Sequence, residues 1–493
     1  MYGYGYRYNS GLVLGAGGGG TPFANTYSLD FDGVDDFVST NSKIIGSDIT
    51  LSGWVNFNGS YSAFSAHFPM SITPSNLGVG NETLGRFYKN GSKLQIAIQC
   101  NDDTGGNFST YFVDSTTLEG AGWQHICITY NVTTKHIYAY LNGVAQNWVK
   151  IFGASTPVPF LTAFTGRVYE SDLTIGRLNP TTSTGSFLGL VDEVSTYDKI
   201  LTQAEITSIA SAPTDLTDLS PIAWYRNGDN GSWKSPQWLI PNNENKDKVS
   251  NYSFDFDGVD DYINCGNPTD LQITGALTLS VWTKLSSSVG TQSCIMSKDS
   301  GAAVGQRAFS FWGKIVNKPV FYIWNGGANY NVGGTTNIAD DTWHHVAVVY
   351  VPSTSLRIYV DGVLEGTNTT SIPASINNAN YDFKLGHFAG SLFEYKGSMD
   401  SVSIFNTDQS ANISTIYNGG TPTTLPSGAV AHYKMGEEAT FSGGVWTVPD
   451  SAGSNNGTSN GMTIEDRVGD APNSTSNALS YNMDEVDRVE DTP

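Results

Sequence analysis

The sequence predicts an all-β chain: two tandem antiparallel sandwiches with short terminal helices, and with flexible N- and C-terminal segments. Three observations carry this. The chain repeats itself, the repeated blocks alternate with the period of a strand, and the composition favours turns and aromatic cores over helices. Residues 27–38 read YSLDFDGVDDFV and residues 252–263 read YSFDFDGVDDYI, identical at nine of twelve positions at an offset of 225. Such self-similarity governs how the rest of the chain is parsed.

Further blocks recur in the same order. ITLSGWVNF (49–57) answers LTLSVWTKL (277–285), and Trp123-Gln124-His125 answers Trp343-His344-His345. YAYLNGV (138–144) answers RIYVDGV (357–363), LTIGR (173–177) answers FKLGH (383–387), and LVDEVSTYD (190–198) answers SMDSVSIFN (398–406). The offset drifts from 225 to 208, so length changes fall in loops. In 277–285 the apolar residues Leu277, Leu279, Val281 and Leu285 alternate with Thr278, Ser280 and Lys284, the period of a strand. WHHVAVVYV is apolar on both faces, as a strand inside a sandwich should be. Gly143 and Gly362 follow Asn142 and Asp361 at hairpin positions where a positive φ is expected. Thr202-Gln203-Ala204-Glu205 fits a capping box opening a short helix with Ile206 and Ile209 on one face. The second copy has a weaker counterpart around Ile413, Ile416 and Tyr417, ended by Gly419-Gly420.

These blocks divide the chain into a Tyr/Gly-rich leader or anchor (1–24), a first domain (25–212), a linker (213–250), a second domain (251–420) and an acidic C-terminal segment (421–493). PIAWYRNGD (221–229) and AVAHYKMGE (429–437) form a third, partial echo, and ALSYNMDEVDRVEDTP (478–493) resembles the opening of another copy that stops. Its Ser, Asn, Thr and Gly content favours partial disorder.

Composition narrows the function. A net charge of −21 argues against nucleic acid, since phosphate binding needs clustered Lys and Arg. No stretch approaches the roughly 18 apolar residues of a membrane span, and Leu12-Val13-Leu14 is too short for a signal-peptide core. Four cysteines are too few for a disulfide framework; Cys127 reads as a buried thiol, and Cys265 and Cys294, both in the second copy, are either free or bonded to each other.

The run FDGVDDYI, LTLSVW, WHHVAVVY with RIYVDGV, then KLG and a closing D-x-V strand, resembles the laminin-G-like (concanavalin A-like) jelly roll over about 27–212 and 252–420. That fold hosts lectins, glycanases, adhesion modules and spacers. The resemblance implies one calcium per domain near the FDGVDD turn, held by Asp32 and Asp35 with the closing-strand Asp192, and by Asp257 and Asp260 with Asp400; the alternative is that these aspartates cap turns. Trp324 and Tyr330 read as a loop-like aromatic cluster able to stack on a sugar, whereas Trp54, Trp123, Trp282 and Trp343 read as packing. Trp233 and Trp238 read as a linker staple.

No catalytic residue is expected. Retaining glycanases on this fold place two carboxylates roughly 5–5.5 Å apart. Asp192-Glu193 would point to opposite strand faces, and the second copy has Ser401 at the Glu position. The histidines form no metal set, and His125, His344 and His345 read as structural. The Tyr/Gly-rich start and acidic NALSYNMD end resemble structural proteins of marine bacteriophages. The expectation is a non-enzymatic virion surface protein (fibre, appendage or decoration), homo-oligomeric, joined to other virion proteins by its N-terminal segment and presenting modules to host surface glycans. The alternatives are a bacterial surface or secreted adhesin and a glycan-cleaving enzyme.

Overall fold

The computed structural model describes residues 23–43, 48–72, 83–90, 92–101, 108–113, 117–134, 136–150, 172–181, 185–301, 304–389 and 393–493. The proposed anchor, 1–24, lies almost wholly outside them.

Each copy is a sandwich of antiparallel sheets. In the first copy one sheet runs, from edge to edge, Val144–Ala145, Ile137–Leu141, Trp123–Tyr130, Ile49–Asn56, Leu188–Tyr197, Ser28–Asp32 and Arg488–Val489. The second copy repeats that order with Val363–Asn368, Ser355–Val360, His344–Val351, Leu277–Leu285, Lys396–Phe405, Ser253–Asp257 and Arg467–Val468. Its facing sheet has nine strands, from Ala328–Gly333 at one edge to Thr440–Ser442 at the other. The inward residues fill one core per copy; Leu279, Val281, Phe311, Ile323 and Val348 are among those closed off in the second.

Local signals behave as their chemistry requires. Gly143 and Gly362 have φ of 78° and 77°. The capping box is present at Thr202 and Glu205, and Ile206 and Ile209 are buried. The second copy's helix, Ile413–Tyr417, stops at Asn418 in the left-handed conformation, just before the two glycines.

The linker and the C-terminal segment are where expectation and structure part. Residues 223–225 pair with the strand Leu188–Tyr197. Trp233 and Trp238 face each other across the hairpin Ser232–Lys234 and Gln237–Ile240, with rings 5.6 Å apart, and Trp238 enters the first core. They close the first sandwich; they do not staple a linker. Residues 421–493, expected to be partly disordered, carry strands throughout. Ala431–Tyr433, Thr440–Ser442, Val445–Val448, Gly457–Asn460 and Arg467–Val468 complete the second copy. Ala478–Tyr481 and Arg488–Val489 then return to the first copy, pairing with Phe37–Lys43 and Gln237–Ile240, and with Ser28–Asp32. The second sandwich is therefore nested between two parts of the first.

The two closing segments are duplicates. GTSNGMTIEDRVGD (457–470) and ALSYNMDEVDRVED (478–491) share Ser, Met, Asp, Arg, Val and Asp at matched positions. Their contacts match as well. Ser459 and Ser480 accept the backbone N–H of Trp446 and Trp238 at 2.9 and 2.7 Å. The Trp343 and Trp123 indoles donate to Asp470 and Asp491 at 3.3 and 2.9 Å. Arg467 lies 4.4 Å from the Trp446 ring centroid, and Arg488 lies 3.9 Å from that of Tyr27.

Cys127, Cys265 and Cys294 are buried free thiols, so the bonded reading of the last two does not hold. His125 and His345 are buried and share hydrogen bonds with Ser52 (2.9 Å) and Ser280 (2.8 Å) across neighbouring strands. Each ring packs 5.2 Å from a tryptophan, Trp54 or Trp282.

Candidate functional site

The acidic turns are built identically. Asp32 Oδ1 accepts the backbone N–H of Val34 (2.7 Å) and of Asp35 (3.4 Å), while Asp36 Oδ2 accepts that of Asp32 (2.9 Å). Asp257, Val259, Asp260 and Asp261 repeat this at 2.7, 3.4 and 2.9 Å. The turn-capping role is thus real in both copies. Gly33 and Gly258 supply the φ of about 80° that the turn needs, and a Cβ there would sit 2.8 Å from the Cβ of Leu188 or Lys396.

The turns also gather acid. Asp32, Asp35 and Asp36, and likewise Asp257, Asp260 and Asp261, place a carboxylate oxygen each within 4.8 Å of one another. Burial pushes Asp36 and Asp261 up to about 7, so each is held part-protonated at neutral pH beside two exposed aspartates. Several oxygens remain free at each turn, a donor set that suits a hard cation in kind.

The third carboxylate is therefore Asp36 or Asp261, not the closing-strand residue expected from the resemblance. Asp32 lies opposite Leu188, whereas Asp192 is four residues, about 13 Å, further along that strand. Asp192 and Asp400 are fully buried at a β-bulge whose next residue, Glu193 or Ser401, has a φ of 49° or 48°. Glu193 is tied to the Trp224 indole (2.5 Å) and to Arg226 (3.0 Å).

The sugar-stacking pair is also placed differently. Trp324 is in the strand Val320–Asn325 and only 6% exposed, with the Arg307 guanidinium 4.0 Å from its ring centroid and Tyr322 stacked at 5.8 Å. Arg307 is itself paired with Asp299 at 2.8 Å. Tyr330 packs against the core, so it faces the opposite side of the sheet from Trp324. Neither ring is an open platform.

What the second copy offers is the outer face of its nine-stranded sheet. Register places Asn329 and Asn331 beside Trp324 and Tyr322, and Tyr262 and Asn264 beside Asn460 and Thr458. Asn329, Asn331, Thr458 and Asn460 are exposed, and Tyr322, Tyr262 and Lys384 are half-buried. The Lys384 ammonium lies 4.7 Å from the Tyr262 ring centroid, and the His387 ring packs on the same tyrosine at 4.7 Å, hydrogen-bonded to Glu394 at 2.9 Å. The first copy keeps the motif at matched positions, with Arg177 over Phe37 at 4.8 Å and Tyr481 stacked on Phe37 at 4.9 Å. The second copy's groups form two patches, one about Tyr322 and one about Tyr262, separated by strands whose outward Ser310 and Ser297 are fully buried; amides, hydroxyls and ring faces are groups that satisfy a neutral polyol. Sequence reasoning missed Tyr262 and Tyr322 because each sits in a strand pattern that reads as core; only the parity of Tyr322 with the buried Phe321 and Ile323 marks it as outward.

A separate cleft of about 370 Å³ opens on the other sheet of the second copy, between Asp255, Asp257, Lys284, Asp341, Lys396 and Asp470. Lys284 is paired with Asp470 at 2.7 Å. At the positions of Lys396 and Ser398 the first copy has Leu188 and Leu190.

Comparison with known proteins agrees with the fold. The family described as the concanavalin A-like lectin/glucanases superfamily, laminin G type, matches residues 32–207 and 257–412. No curated protein sequence matches the chain. Among solved structures, a Bacteroides ovatus protein assigned to carbohydrate binding is 15% identical, with a TM-score of 0.35 over 88% of this chain and 98% of that one. Domains LG4-5 of the mouse laminin alpha1 chain are 11% identical, TM-score 0.26, over 80% and 92%. A heptameric pentraxin from Limulus polyphemus is 13% identical, TM-score 0.28, over 38% and 82%. At these identities the likeness concerns the fold alone. Among the described residues no helix is long and apolar enough to cross a membrane.

Proposed function

The chain belongs to the concanavalin A-like lectin/glucanase superfamily, and on that premise we propose that it is a non-enzymatic carbohydrate-binding protein whose second copy presents the outer face of its nine-stranded sheet to a glycan. The observation that carries this is a pair of exposed polar patches on that face, Asn329 and Asn331 beside Tyr322, and Thr458 and Asn460 beside Tyr262. The buried Asp192–Glu193 pair, engaged by Trp224 and Arg226, supports binding over hydrolysis, since neither carboxylate is open to a substrate. A glycan array probed with the intact chain, with Tyr322→Ala and Asn331→Ala in parallel, tests it. Retained glycans that both variants release support the face, and unchanged binding by both variants removes it. Turnover of a bound glycan by the intact chain would overturn the non-enzymatic part.

The same proposal places one calcium at each FDGVDD turn, at Asp32, Asp35 and Asp36 and at Asp257, Asp260 and Asp261. The ion would neutralise the packed carboxylates and replace the proton on Asp36 or Asp261. Thermal melts with calcium and with EGTA that superimpose would argue against it.

As to setting, the acidic balance and the Tyr/Gly-rich leader support display on a virion surface, as a homo-oligomer attached through that leader. Mass spectrometry of purified particles lacking the protein would sink this, and a bacterial surface adhesin would take its place.

A further inference from the structure

The junction between the two sandwiches holds a chain of three oxygen groups, from the buried Asp400 and Ser250 to the half-buried Glu437, with too few protons. Asp400 is fully buried and Ser250 is 5% exposed. Asp400 Oδ1 accepts the Ser401 N–H at 2.7 Å, and Asp400 Oδ2 lies 2.6 Å from Ser250 Oγ. Ser250 Oγ lies in turn 3.1 Å from Glu437 Oε1, which already accepts the backbone N–H groups of Asn251 and of Tyr252 (2.8 Å). A hydroxyl has one proton, and here it stands between two carboxyl groups. If both were ionised, one of the two contacts would set lone pairs against lone pairs with no hydrogen between them.

The first copy places other residues around its own buried carboxyl, Asp192. Asn25, whose amide has two donors, occupies the position of Ser250, but neither its Nδ2 nor Asp192 Oδ2 makes a hydrogen bond. Arg226 bridges Glu193 (3.0 Å) and Asp229 (3.4 Å), the counterpart of Glu437. In the second copy the matching cation is Lys434, which turns away to Glu438 at 2.7 Å. The other charged groups nearby supply no hydrogen to the chain. Asp470 adds negative charge and is held by Lys284. Arg467 donates to the carbonyls of Ala439 and Lys234 and makes no hydrogen bond to either carboxyl, but its charge favours an ionised Glu437; Tyr252, raised by burial, is neutral. Two backbone donors favour the ionised form at Glu437, which leaves Asp400 as the acid.

We propose that Asp400 carries a proton at neutral pH and donates it to Ser250, which donates to Glu437, so that one titratable proton closes the junction between the two copies. The location gives the proton leverage. Residues 250–252 lead into the second sandwich, and the next side chain, Asn251, is fixed by the first copy's return path through Ser474 (2.7 Å) and by Asn477 to its carbonyl (2.8 Å). Burial raises both carboxyls, Glu437 to about 7 and Asp400 well above its ordinary value, in the direction the hydrogen-bond count requires. Loss of the proton at alkaline pH leaves a buried charge pair that the fold cannot solvate.

The test is unfolding of the full chain from pH 5 to pH 9, beside Asp400→Asn and Ser250→Asn. For the wild type the unfolding constant of the transition involving the second copy should rise with pH, approaching tenfold per unit, because the folded state retains one proton that the unfolded state releases. Asp400→Asn should flatten this rise and be the more stable protein at pH 8. Ser250→Asn, whose amide carries a second donor, should reduce the slope. Should both variants fail to fold, infrared difference spectra of the wild type decide: a protonated carboxyl band that persists above pH 8, beyond the range in which Asp36 and Asp261 ionise, and fades on further alkalinisation is expected. Absence of that band, or equal slopes in wild type and Asp400→Asn, overturns the proposal. So does an Asp400-dependent gain in stability at pH 8 on adding calcium, which would make the pocket a cation site.

Discussion

Deleting residues 478–493 should unfold the first sandwich and spare the second. The segment is remote in sequence but central in packing. Its removal takes Ala478 and Met483, 0% and 2% exposed, out of the first core, and Leu479, 4% exposed, from the layer beside it. Burying Leu479 and Met483 is worth about 2 kcal/mol each. The hydrogen bonds of Trp238 to Ser480 (2.7 Å) and to the Asp484 carbonyl (2.9 Å), and of Trp123 to Asp491 (2.9 Å), add about 1 kcal/mol apiece. The sum, about 7 kcal/mol, is comparable with the roughly 5–15 kcal/mol that holds a whole domain together. Calorimetry should therefore lose the first copy's transition, and limited proteolysis should leave a resistant fragment beginning near residue 245. The second copy keeps its own closing strands, Gly457–Asn460 and Arg467–Val468. A truncated chain that melts and resists protease like the full one would refute the nesting. The milder pair Met483→Ala and Met462→Ala should each cost about 2–5 kcal/mol, in the first and second copy respectively.

The buried histidines set the acid limit. Burial lowers His125 to about 3 and His345 to about 4, whereas the unfolded residues titrate near 6.5. The unfolded chain thus binds more protons below pH 6.5, and stability should fall as pH drops from there toward 4. His345→Gln should remove its share of that slope in denaturant titrations, and an unchanged acid limb would contradict the assignment. Gly33→Ala and Gly258→Ala should cost about 2 kcal/mol each from the positive φ and the 2.8 Å approach to the facing Cβ, measured as a shift in denaturation midpoint. Where calcium is bound, the same substitutions should also abolish any difference between melts with calcium and with EGTA.

The sandwiches were legible because their long strands carry period-2 patterns twice. Leu277–Leu285 and His344–Val351 announce themselves by apolar alternation or by continuous β-branched runs. The short strands do not. Ala478–Tyr481 has four residues and Arg488–Val489 two, too few for a period, and their Ser, Asn and acidic neighbours read as disorder. The segment ALSYNMDEVDRV reads as the opening of a further FDGVDD block, whereas its counterpart, GTSNGMTIEDRV, lies only 21 residues upstream. The site shows the same limit. The FDGVDD clusters were visible as local spacing, but whether Asp192 reaches them depends on a register four residues long, which only the sheet fixes. Trp324 reads as an open platform from sequence because the Arg307 that covers it comes from a different strand.

Nesting changes what the duplication means. Had the copies been joined end to end, each would close on its own chain within a stretch of some 220 residues, as the second does from Ser253 to Val468. The first instead pairs Ser28 with Val489 and Phe37 with Tyr481. Contacts of such sequence separation are slow to form, so the first sandwich cannot be complete until the second, which lies wholly between its parts, has been made. The ring stacked on Phe37, at the first copy's version of the polar face, is Tyr481 itself. The first copy's candidate binding surface is thus finished only by a segment that has passed through the second copy, and the Asn245–Asn477–Asn251 contacts, with Nδ2–Oδ1 and Nδ2–O distances of 3.0 and 2.8 Å, bind the outgoing and returning strands to each other. A duplicated closing segment placed after the inserted copy is what allows both sandwiches to share one architecture while only one of them is continuous.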